Sequence, residues 1–157
     1  MRGKTHIKKR VIDLDAKYQS EVISRFINKI MQNGKKATAT KLVYDALDIA
    51  EKKANRKAID VFETAIQNAS PILEVRSRRI GGANYQVPRE VTPNRKLYLA
   101  MRWIIDSARS KKGSGYATRL ADEIFDAYEN KGASIKRREE LHKMAEANRA
   151  FAHFGRF

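Results

Sequence analysis

The three arginines Arg76, Arg78 and Arg79 are the residues best suited to chemistry in this chain. No acidic residue lies between positions 75 and 89, so their charge is not neutralised locally. A guanidinium group donates two parallel hydrogen bonds to a phosphate, which a lysine ammonium does not reproduce. Arginines on an exposed strand could also suppress edge-to-edge aggregation, but Lys or Glu would serve that purpose equally well. The cluster therefore favours binding of a phosphate-bearing ligand.

Two glycines and a tyrosine follow the arginine cluster. Gly81 and Gly82 would allow a ligand to approach the backbone closely, because glycine has no side chain. Tyr85 could stack on a nucleobase, a contact worth about 1–3 kcal/mol. It could equally pack its ring against a neighbouring strand. Both interpretations of Tyr85 remain open at this point.

The sequence holds no recognisable catalytic or metal-binding constellation. The chain has no cysteine, and its three histidines, His6, His142 and His153, lack the spacing of metal-binding pairs. We expect His142 to face solvent beside Glu139. No nucleophile elbow or phosphate-binding glycine loop is present. The sequence therefore predicts a protein that is not an enzyme and that has no metal, cofactor or small-molecule substrate.

The positions of apolar residues predict the elements that carry these groups. Stripes with helical spacing predict a mainly α protein with a bundle of about six helices. Between helices three and four, alternating residues around Gly81-Gly82 predict one protruding β-hairpin arm over residues 72–91. Ser70-Pro71 ends helix three, and Thr92-Pro93 begins helix four with a capping hydroxyl. The predicted helices span about 20–33, 36–53, 58–70, 92–109, 117–130 and 134–149.

The fourth helix carries a second group of candidate binding residues. Arg95, Arg102 and Arg109 lie seven residues apart and therefore share one helix face, along which a phosphate backbone could run. Alternatively, Arg102 simply pairs with Asp106 four residues later, a contact worth about 0.3–0.5 kcal/mol. The basic loop after this helix adds Lys111.

The length of 157 residues predicts one domain, and the net charge of +15 predicts a polyanionic partner. We predict a basic, partly disordered arm over 1–18, a single helical domain over 19–150 and a C-terminal tail over 151–157, whose three Phe residues show no helical period. The arm supplies five further candidate residues for binding that partner: Arg2, Lys4, Lys8, Lys9 and Arg10. Neither a secretory signal nor a membrane-spanning stretch is recognisable, which predicts a cytoplasmic protein that does not bind a membrane.

Three segments of the sequence resemble a known family. They are Val75-Arg-Ser-Arg-Arg-Ile-Gly-Gly-Ala-Asn-Tyr-Gln-Val-Pro88, Phe26-Ile-Asn-Lys-Ile-Met-Gln-Asn-Gly-Lys-Lys36 and Met144-Ala-Glu-Ala-Asn-Arg-Ala-Phe-Ala-His153. Together they look like the family of the seventh protein of the bacterial small ribosomal subunit. The ending after His153 differs from the aromatic-Arg-Trp ending that is common in that family.

The resemblance implies both a fold and a function. The implied fold is a bundle of six helices with a hairpin arm, and the implied function is primary binding of small-subunit ribosomal RNA to nucleate assembly of the subunit head. It implies that Lys35 and Lys36 contact ribosomal RNA and that the hairpin, with Gly81, Gly82 and Tyr85, lies near the exit-site transfer RNA. The implied partners also include the ninth and eleventh small-subunit proteins and, in some bacteria, the member's own messenger RNA.

Two other functional classes compete with this interpretation. A basic hairpin that carries a proline is also how some architectural proteins enter and kink the DNA minor groove. That function would normally require a symmetric dimer. An RNA-modifying enzyme would need a cofactor pocket or catalytic residues, and the sequence shows neither. The sequence therefore favours a non-enzymatic scaffold for RNA, with architectural DNA binding as the alternative.

Overall fold

The computed structural model describes residues 12–156, which form a helical body and one antiparallel hairpin. In chain order the elements are α1 (Glu21–Ile30), α2 (Lys36–Ala54), α3 (Ala58–Ala69), β1 (Leu73–Ile80), β2 (Ala83–Glu90), α4 (Pro93–Ser110), α5 (Tyr116–Tyr128), α6 (Gly132–Ala147) and a C-terminal 3-10 helix (Arg149–Arg156). This order confirms the predicted mainly α fold with a hairpin between helices three and four. The five candidate residues of the N-terminal arm, Arg2 to Arg10, lie outside the described residues.

Helix α5 lies at the centre of the body and packs against α2, α3 and α4. The apolar stripes predicted from the sequence supply the contacts, and the ring centroids of Phe26 and Phe62 lie 5.0 Å apart in the core. Truncating a buried Phe to Ala typically costs about 3–5 kcal/mol, so the α1–α3 contact fixes these two helices firmly. The body therefore gives the surface residues a rigid support.

The chain before α1 is attached to α2. The Asp15 carboxylate accepts hydrogen bonds from the backbone N–H groups of Lys17 and Tyr18 at 3.1 and 3.0 Å and from the Tyr44 hydroxyl at 2.8 Å. The rings of Tyr18 and Tyr44 meet edge to face with centroids 5.8 Å apart. The part of the predicted arm that the structure describes is thus joined to the helical body from Asp15 onward.

The turn between α5 and α6 depends on one glycine and one buried acid. Gly132 has a φ of +91°, and a Cβ at this position would lie 2.9 Å from the Asp126 Cβ, so a larger residue would not fit. Glu123 is fully buried, and its Oε1 accepts hydrogen bonds from the N–H and the hydroxyl of Ser134 at 2.9 and 2.8 Å. A carboxylate suits this position because the first turn of a helix leaves N–H groups unpaired.

Two local predictions are corrected by the structure. Thr92 precedes α4 and Pro93 begins it, as predicted, but the Thr92 hydroxyl makes no capping hydrogen bond. The tail, which was predicted to lack a helical period, forms a 3-10 helix over Arg149–Arg156. Phe151 and Phe154 are three residues apart, and the 3-10 helix has three residues per turn, so both rings lie on one side. The α-helical period of 3.6 residues does not reveal a spacing of three.

The hairpin lies outside the helical core but is supported by two other elements. Strand β1 contacts α6, and strand β2 contacts the C-terminal 3-10 helix. The Ile72 N–H, just before β1, donates a hydrogen bond of 3.0 Å to Nε2 of His142 on α6. The expectation that His142 simply faces solvent is therefore wrong, because the side chain is half-buried and holds the start of the hairpin.

Candidate nucleic-acid-binding surface

The strand register determines how the hairpin presents its arginines. Arg76 pairs with Val87 and Arg78 with Tyr85 on one face, whereas Arg79 pairs with Asn84 on the other face. All three arginines are exposed. Within the described part of the chain, Arg76 and Arg79 form no ion pair and no side-chain hydrogen bond. Their charge is therefore available to a ligand on both faces of the hairpin.

Tyr85 is covered by the C-terminal 3-10 helix. Its ring centroid lies 5.2 Å from that of Phe151 and 5.5 Å from that of Phe154. Nη1 of Arg78 donates a hydrogen bond of 2.5 Å to the Phe154 carbonyl. Of the two interpretations of Tyr85, the structure shows a packed ring, but the ring packs on the C-terminal helix and not on a strand. We name these side chains, Tyr85, Phe151 and Phe154, the aromatic cluster.

The root of the hairpin is fixed by a buried acid. Glu74, with 8% of its side chain exposed, accepts hydrogen bonds from Arg89 at 2.6 and 2.9 Å and from Nε of Arg95 at 3.2 Å. Burial raises the pKa of Glu74, but the bonds from Arg89 and Arg95 outweigh it and hold the pKa below its ordinary value. Arg95 therefore joins the hairpin to α4, a link that its position in the sequence did not indicate.

The other two arginines of the α4 row also have partners inside the protein. Nε of Arg102 lies 3.4 Å from Oδ2 of Asp106, which is the i,i+4 pair considered from the sequence. Nη2 of Arg109 donates a hydrogen bond of 3.3 Å to the Ile30 carbonyl at the end of α1. All three arginines of the row remain exposed, and their contact with RNA stays a prediction.

Lys111 forms ion pairs with two acids of α5. Its Nζ lies 2.9 Å from Oε2 of the buried Glu123 and 3.0 Å from Oδ2 of Asp126. Burial lowers the pKa of Lys111, but the bonds to both acids outweigh this effect and raise the pKa above its ordinary value. The contact compensates the buried Glu123 charge, so Lys111 has a structural role whatever else it binds.

The structure brings together two candidates that are distant in the sequence. Lys35, which precedes α2, and Arg109, at the end of α4, line a common cavity of about 340 Å³ beside Tyr116. Lys35 and Lys36 are both exposed. Asn33 and Gly34 before them have φ values of +51° and +73°, which makes the tight turn that presents the two lysines.

Sequence reasoning missed one basic residue, Lys29. It lies between α1 and α4, where its Nζ donates a hydrogen bond of 3.2 Å to the Tyr98 carbonyl and lies 3.1 Å from the centroid of the Tyr98 ring. Lys29 stands at the edge of the apolar stripe of α1, where a lysine ordinarily extends into solvent. Only the packing of α4 against α1 reveals that it is half-buried.

Two kinds of site are absent from residues 12–156. No three His, Cys, Asp or Glu side chains in this range lie close enough to hold a metal ion. Within the same range, none of the helices has the length and apolar character needed to cross a bilayer. Within that range, exposed arginines and lysines lie on both the helical body and the hairpin, and clustered basic side chains are typical of a protein that binds a polyanion.

Comparison with known proteins identifies the family within this class. The sequence pattern of the family described as ribosomal protein S7p/S5e matches residues 2–149. The chain is 52% identical over 151 residues to the small ribosomal subunit protein uS7 of Roseiflexus sp. strain RS-1, covering 96% of each chain. It is 57% identical over 145 residues to the uS7 protein of Fervidobacterium nodosum, covering 92% of this chain and 94% of the relative. The chain belongs to the ribosomal protein S7p/S5e family, which confirms the resemblance and the non-enzymatic class.

Proposed function

We propose that this protein is a primary binder of small-subunit ribosomal RNA and that its binding nucleates assembly of the subunit head. The observation that supports this most directly is the hairpin surface, where Arg76 and Arg79 are exposed and have no acid partner among the described residues. A protein that keeps such cations unpaired on a rigid support favours one arrangement of phosphates over others. The α4 row, Lys35 and Lys36 extend this surface over the helical body.

The tip of the hairpin is the part that we place near the exit-site transfer RNA. This placement follows from the family resemblance, which assigns Gly81, Gly82 and Tyr85 to that neighbourhood. Both glycines are exposed, with φ values of +56° and +89°, and a Cβ on either would meet no atom within 4 Å. The tip therefore has room for a ligand backbone. Since Tyr85 lies in the aromatic cluster, the glycines and arginines offer the accessible contacts.

The remaining partners are carried over from the family in the same way. We assign the ninth and eleventh small-subunit proteins as neighbours and the protein's own messenger RNA as a second RNA ligand. The location that follows is the ribosome in the cytoplasm. The surface of helix α6 favours the proposal of a protein neighbour. This helix buries only Ser134, Ile135 and Ala145 against the rest of the described chain, and Met144 is 51% exposed.

The test compares two triple variants of the full chain that lose the same charge. Arg76, Arg78 and Arg79 are changed to Ala in one variant, and the exposed Lys52, Arg56 and Lys57 are changed to Ala in the other. Within the described residues, α2 and α3 do not contact the hairpin, so the second variant is a matched control. Binding to a small-subunit RNA head-domain fragment and to DNA of equal length is measured across a salt series.

We expect tight binding that is confined to the RNA. The hairpin variant should lose affinity on the order of 100-fold at about 0.1 M salt, and its salt slope should fall by about 2–3, since each phosphate contact contributes close to one unit. The control should change far less. An unchanged slope in the hairpin variant would remove the hairpin from the site. Equal binding of RNA and DNA by a dimer would favour the architectural DNA-binding alternative.

A further inference from the structure

A cleft of about 370 Å³ lies between α1 and α4. Its floor is apolar and is formed by Leu97 and Met101. Four polar side chains line it: Arg25, Asn28, Lys29 and Asn94. An apolar cleft with a few convergent polar groups is the usual form of a ligand site. Among residues 12–156, none of the sequence-predicted site residues lines this cleft.

Among residues 12–156, Lys29 has no acid partner. Each arginine around it has one: Arg25 lies 2.6 Å from Glu21, Arg95 lies 3.2 Å from Glu74 and Arg102 lies 3.4 Å from Asp106. Lys29 forms no ion pair with any described residue, and its one hydrogen bond, of 3.2 Å, goes to the Tyr98 carbonyl. An ammonium group has three N–H donors, so two of them are left for a ligand.

In the absence of an anion, the surroundings of Lys29 disfavour the protonated form of its side chain. Burial lowers its pKa first, Arg102 and Arg95 lower it further, and Asp106 opposes them, so that the pKa falls to about 8. The face of the Tyr98 ring only partly compensates the charge. An anion within hydrogen-bond distance would restore the protonated form, because an opposite charge favours it.

We propose that the cleft binds a phosphate of the RNA backbone, with the Lys29 ammonium as its charged donor and the amides of Asn28 and Asn94 as neutral donors. The proposal rests on the proposed RNA-binding function and adds a defined subsite to it. Asn28 and Asn94 are exposed at the mouth of the cleft. An amide NH2 group donates to phosphate oxygen without adding to the charge that already surrounds Lys29.

The position of the cleft favours RNA over an acidic peptide. Arg102 of the α4 row is exposed and lies close enough to Lys29 to lower its pKa. Arg95 connects the region to the hairpin root through Glu74. Two exposed arginines of the α4 row thus accompany Lys29 beside the cleft. An extended polyanion would contact the cleft, the α4 row and the hairpin together, whereas a short peptide would reach only one of them.

The proposal predicts that RNA binding is linked to protonation of Lys29. The charged groups that act on it are Arg95, Arg102 and Asp106 on α4. Elsewhere in the described part of this region, Glu21 and Arg25 on α1 pair with each other, and Arg137 on α6 lies 3.8 Å from Asp106. Arginines and carboxylates do not ordinarily change charge between pH 7 and pH 8.5. The variant Tyr98→Phe tests whether the Tyr98 hydroxyl contributes to the pH dependence of RNA binding.

The experiment measures RNA affinity of the full chain at about pH 7 and about pH 8.5 at constant ionic strength. Wild type is compared with Lys29→Arg, which keeps the charge but does not titrate, and with Lys29→Met, which removes it. With a free pKa of about 8, we expect wild-type affinity to fall about threefold over this range, because the deprotonated fraction must first regain a proton. The RNA and the chain N-terminus contribute equally to wild type and Lys29→Arg, so the difference between the two isolates Lys29.

Lys29→Met should bind RNA about tenfold more weakly than wild type at about pH 7, with a salt slope lower by about one, and only about threefold more weakly at about pH 8.5, where Lys29 of the wild type is mostly deprotonated. Lys52→Met, a change of an exposed lysine on α2, is the matched control and should change less. Thermal unfolding checks that the variants are folded; if Lys29→Met does not fold, the pH comparison with Lys29→Arg still decides. An identical pH dependence in wild type and Lys29→Arg would overturn the proposal even if RNA binds tightly. Loss of RNA binding by the wild type itself would overturn the proposed function as well.

The source of the phosphate is tested separately by NMR titration of the Lys29 ammonium group. Addition of the RNA fragment should raise the pKa of Lys29, whereas millimolar inorganic phosphate should leave it close to 8. A full rise with inorganic phosphate alone would assign the cleft to the free ion and overturn the RNA assignment.

Discussion

The hairpin and helix α4 carry the same type of side chain but use it differently. On the hairpin, Arg76 and Arg79 are exposed and form no ion pair with the described residues. On α4, Arg95 and Arg102 are also exposed, yet each lies within 3.4 Å of a carboxylate oxygen. Local charge in the sequence therefore does not show which cations are free to bind. The positions of the partner acids in the folded chain show which cations are free to bind.

The physical reason for the difference is secondary structure. A helix places residue i+4 beside residue i, which lets Asp106 reach Arg102 within α4. The packing of α4 then brings Glu74 from the hairpin root to Arg95. The outer part of a two-stranded hairpin has few neighbours, so an arginine there remains unpaired unless the opposite strand carries an acid. Neither Val87 nor Asn84, the residues opposite Arg76 and Arg79, is acidic.

The largest effect that we predict is on stability and concerns Lys111. Lys111→Met should lower the free energy of unfolding by about 3 kcal/mol, because Glu123 would be left buried without its cation. The melting temperature should fall by roughly 6–12 °C in thermal unfolding. The neighbouring Lys112 is exposed, and Lys112→Met should change stability by less than about 0.5 kcal/mol. Equal stability of both variants would show that the paired cations of this region are not structural.

The next prediction compares one arginine from each region. Arg76→Ala should lower RNA affinity about tenfold at about 0.1 M salt and lower the salt slope by about one, with stability unchanged within about 0.5 kcal/mol. Arg102→Ala should lower affinity less, since part of its charge is already matched by Asp106. Filter binding across a salt series measures both variants. A larger loss for Arg102→Ala would reverse the comparison and make the α4 row the main contact.

A smaller effect is expected at the aromatic cluster. Phe154→Ala removes one ring from Tyr85, which should weaken local protection of β2 by about 1 kcal/mol and speed amide exchange there about fivefold. Amides of α5 should not change. Arg149→Ala, at the exposed start of the same 3-10 helix, is the control and should leave β2 exchange unaltered. If the Phe154 variant bound RNA more tightly, Tyr85 stacking on a base would be favoured after all.

The elements could be predicted because their signals are local. Apolar stripes identified the helices, and Gly81-Gly82 between alternating residues identified the hairpin. The partners of the candidate residues were less predictable because they depend on packing. Only the burial of α5 brings Lys111 to Glu123, and only the contact of α1 with α4 places Lys29 against Tyr98.

The C-terminal helix was missed for a different reason. Its spacing of three between Phe151 and Phe154 fits a 3-10 helix, which is uncommon at this length. Its rings pack on Tyr85, far away in the sequence, and no local pattern predicts that contact. His142, which was expected to face solvent, and the tail, which was expected to lack a helical period, thus both support the hairpin.

The smallest effect that we predict is a pH dependence of the hairpin root, which distinguishes it from the permanent charges of α4. Burial first, and then Arg138, lower the pKa of His142 below its ordinary 6.5, and its neutral Nε2 accepts the Ile72 N–H. As pH falls through 6.5, the unfolded chain therefore binds a proton before the folded chain does. The stabilisation from His142 is fully present above pH 6.5 and is lost as pH falls through the lower folded pKa.

This dependence can be measured by exchange of the Ile72 amide and by thermal unfolding between about pH 7.5 and about pH 5.5. We expect protection of Ile72 to decrease on acidification in wild type, and His142→Gln to remove that pH dependence while His153→Gln preserves it. If all three proteins respond to pH alike, the hairpin root does not depend on a neutral histidine. The support of the hairpin would then rest on Glu74 with its two arginines and on the aromatic cluster, and the hairpin would be held by permanent charges just as α4 is.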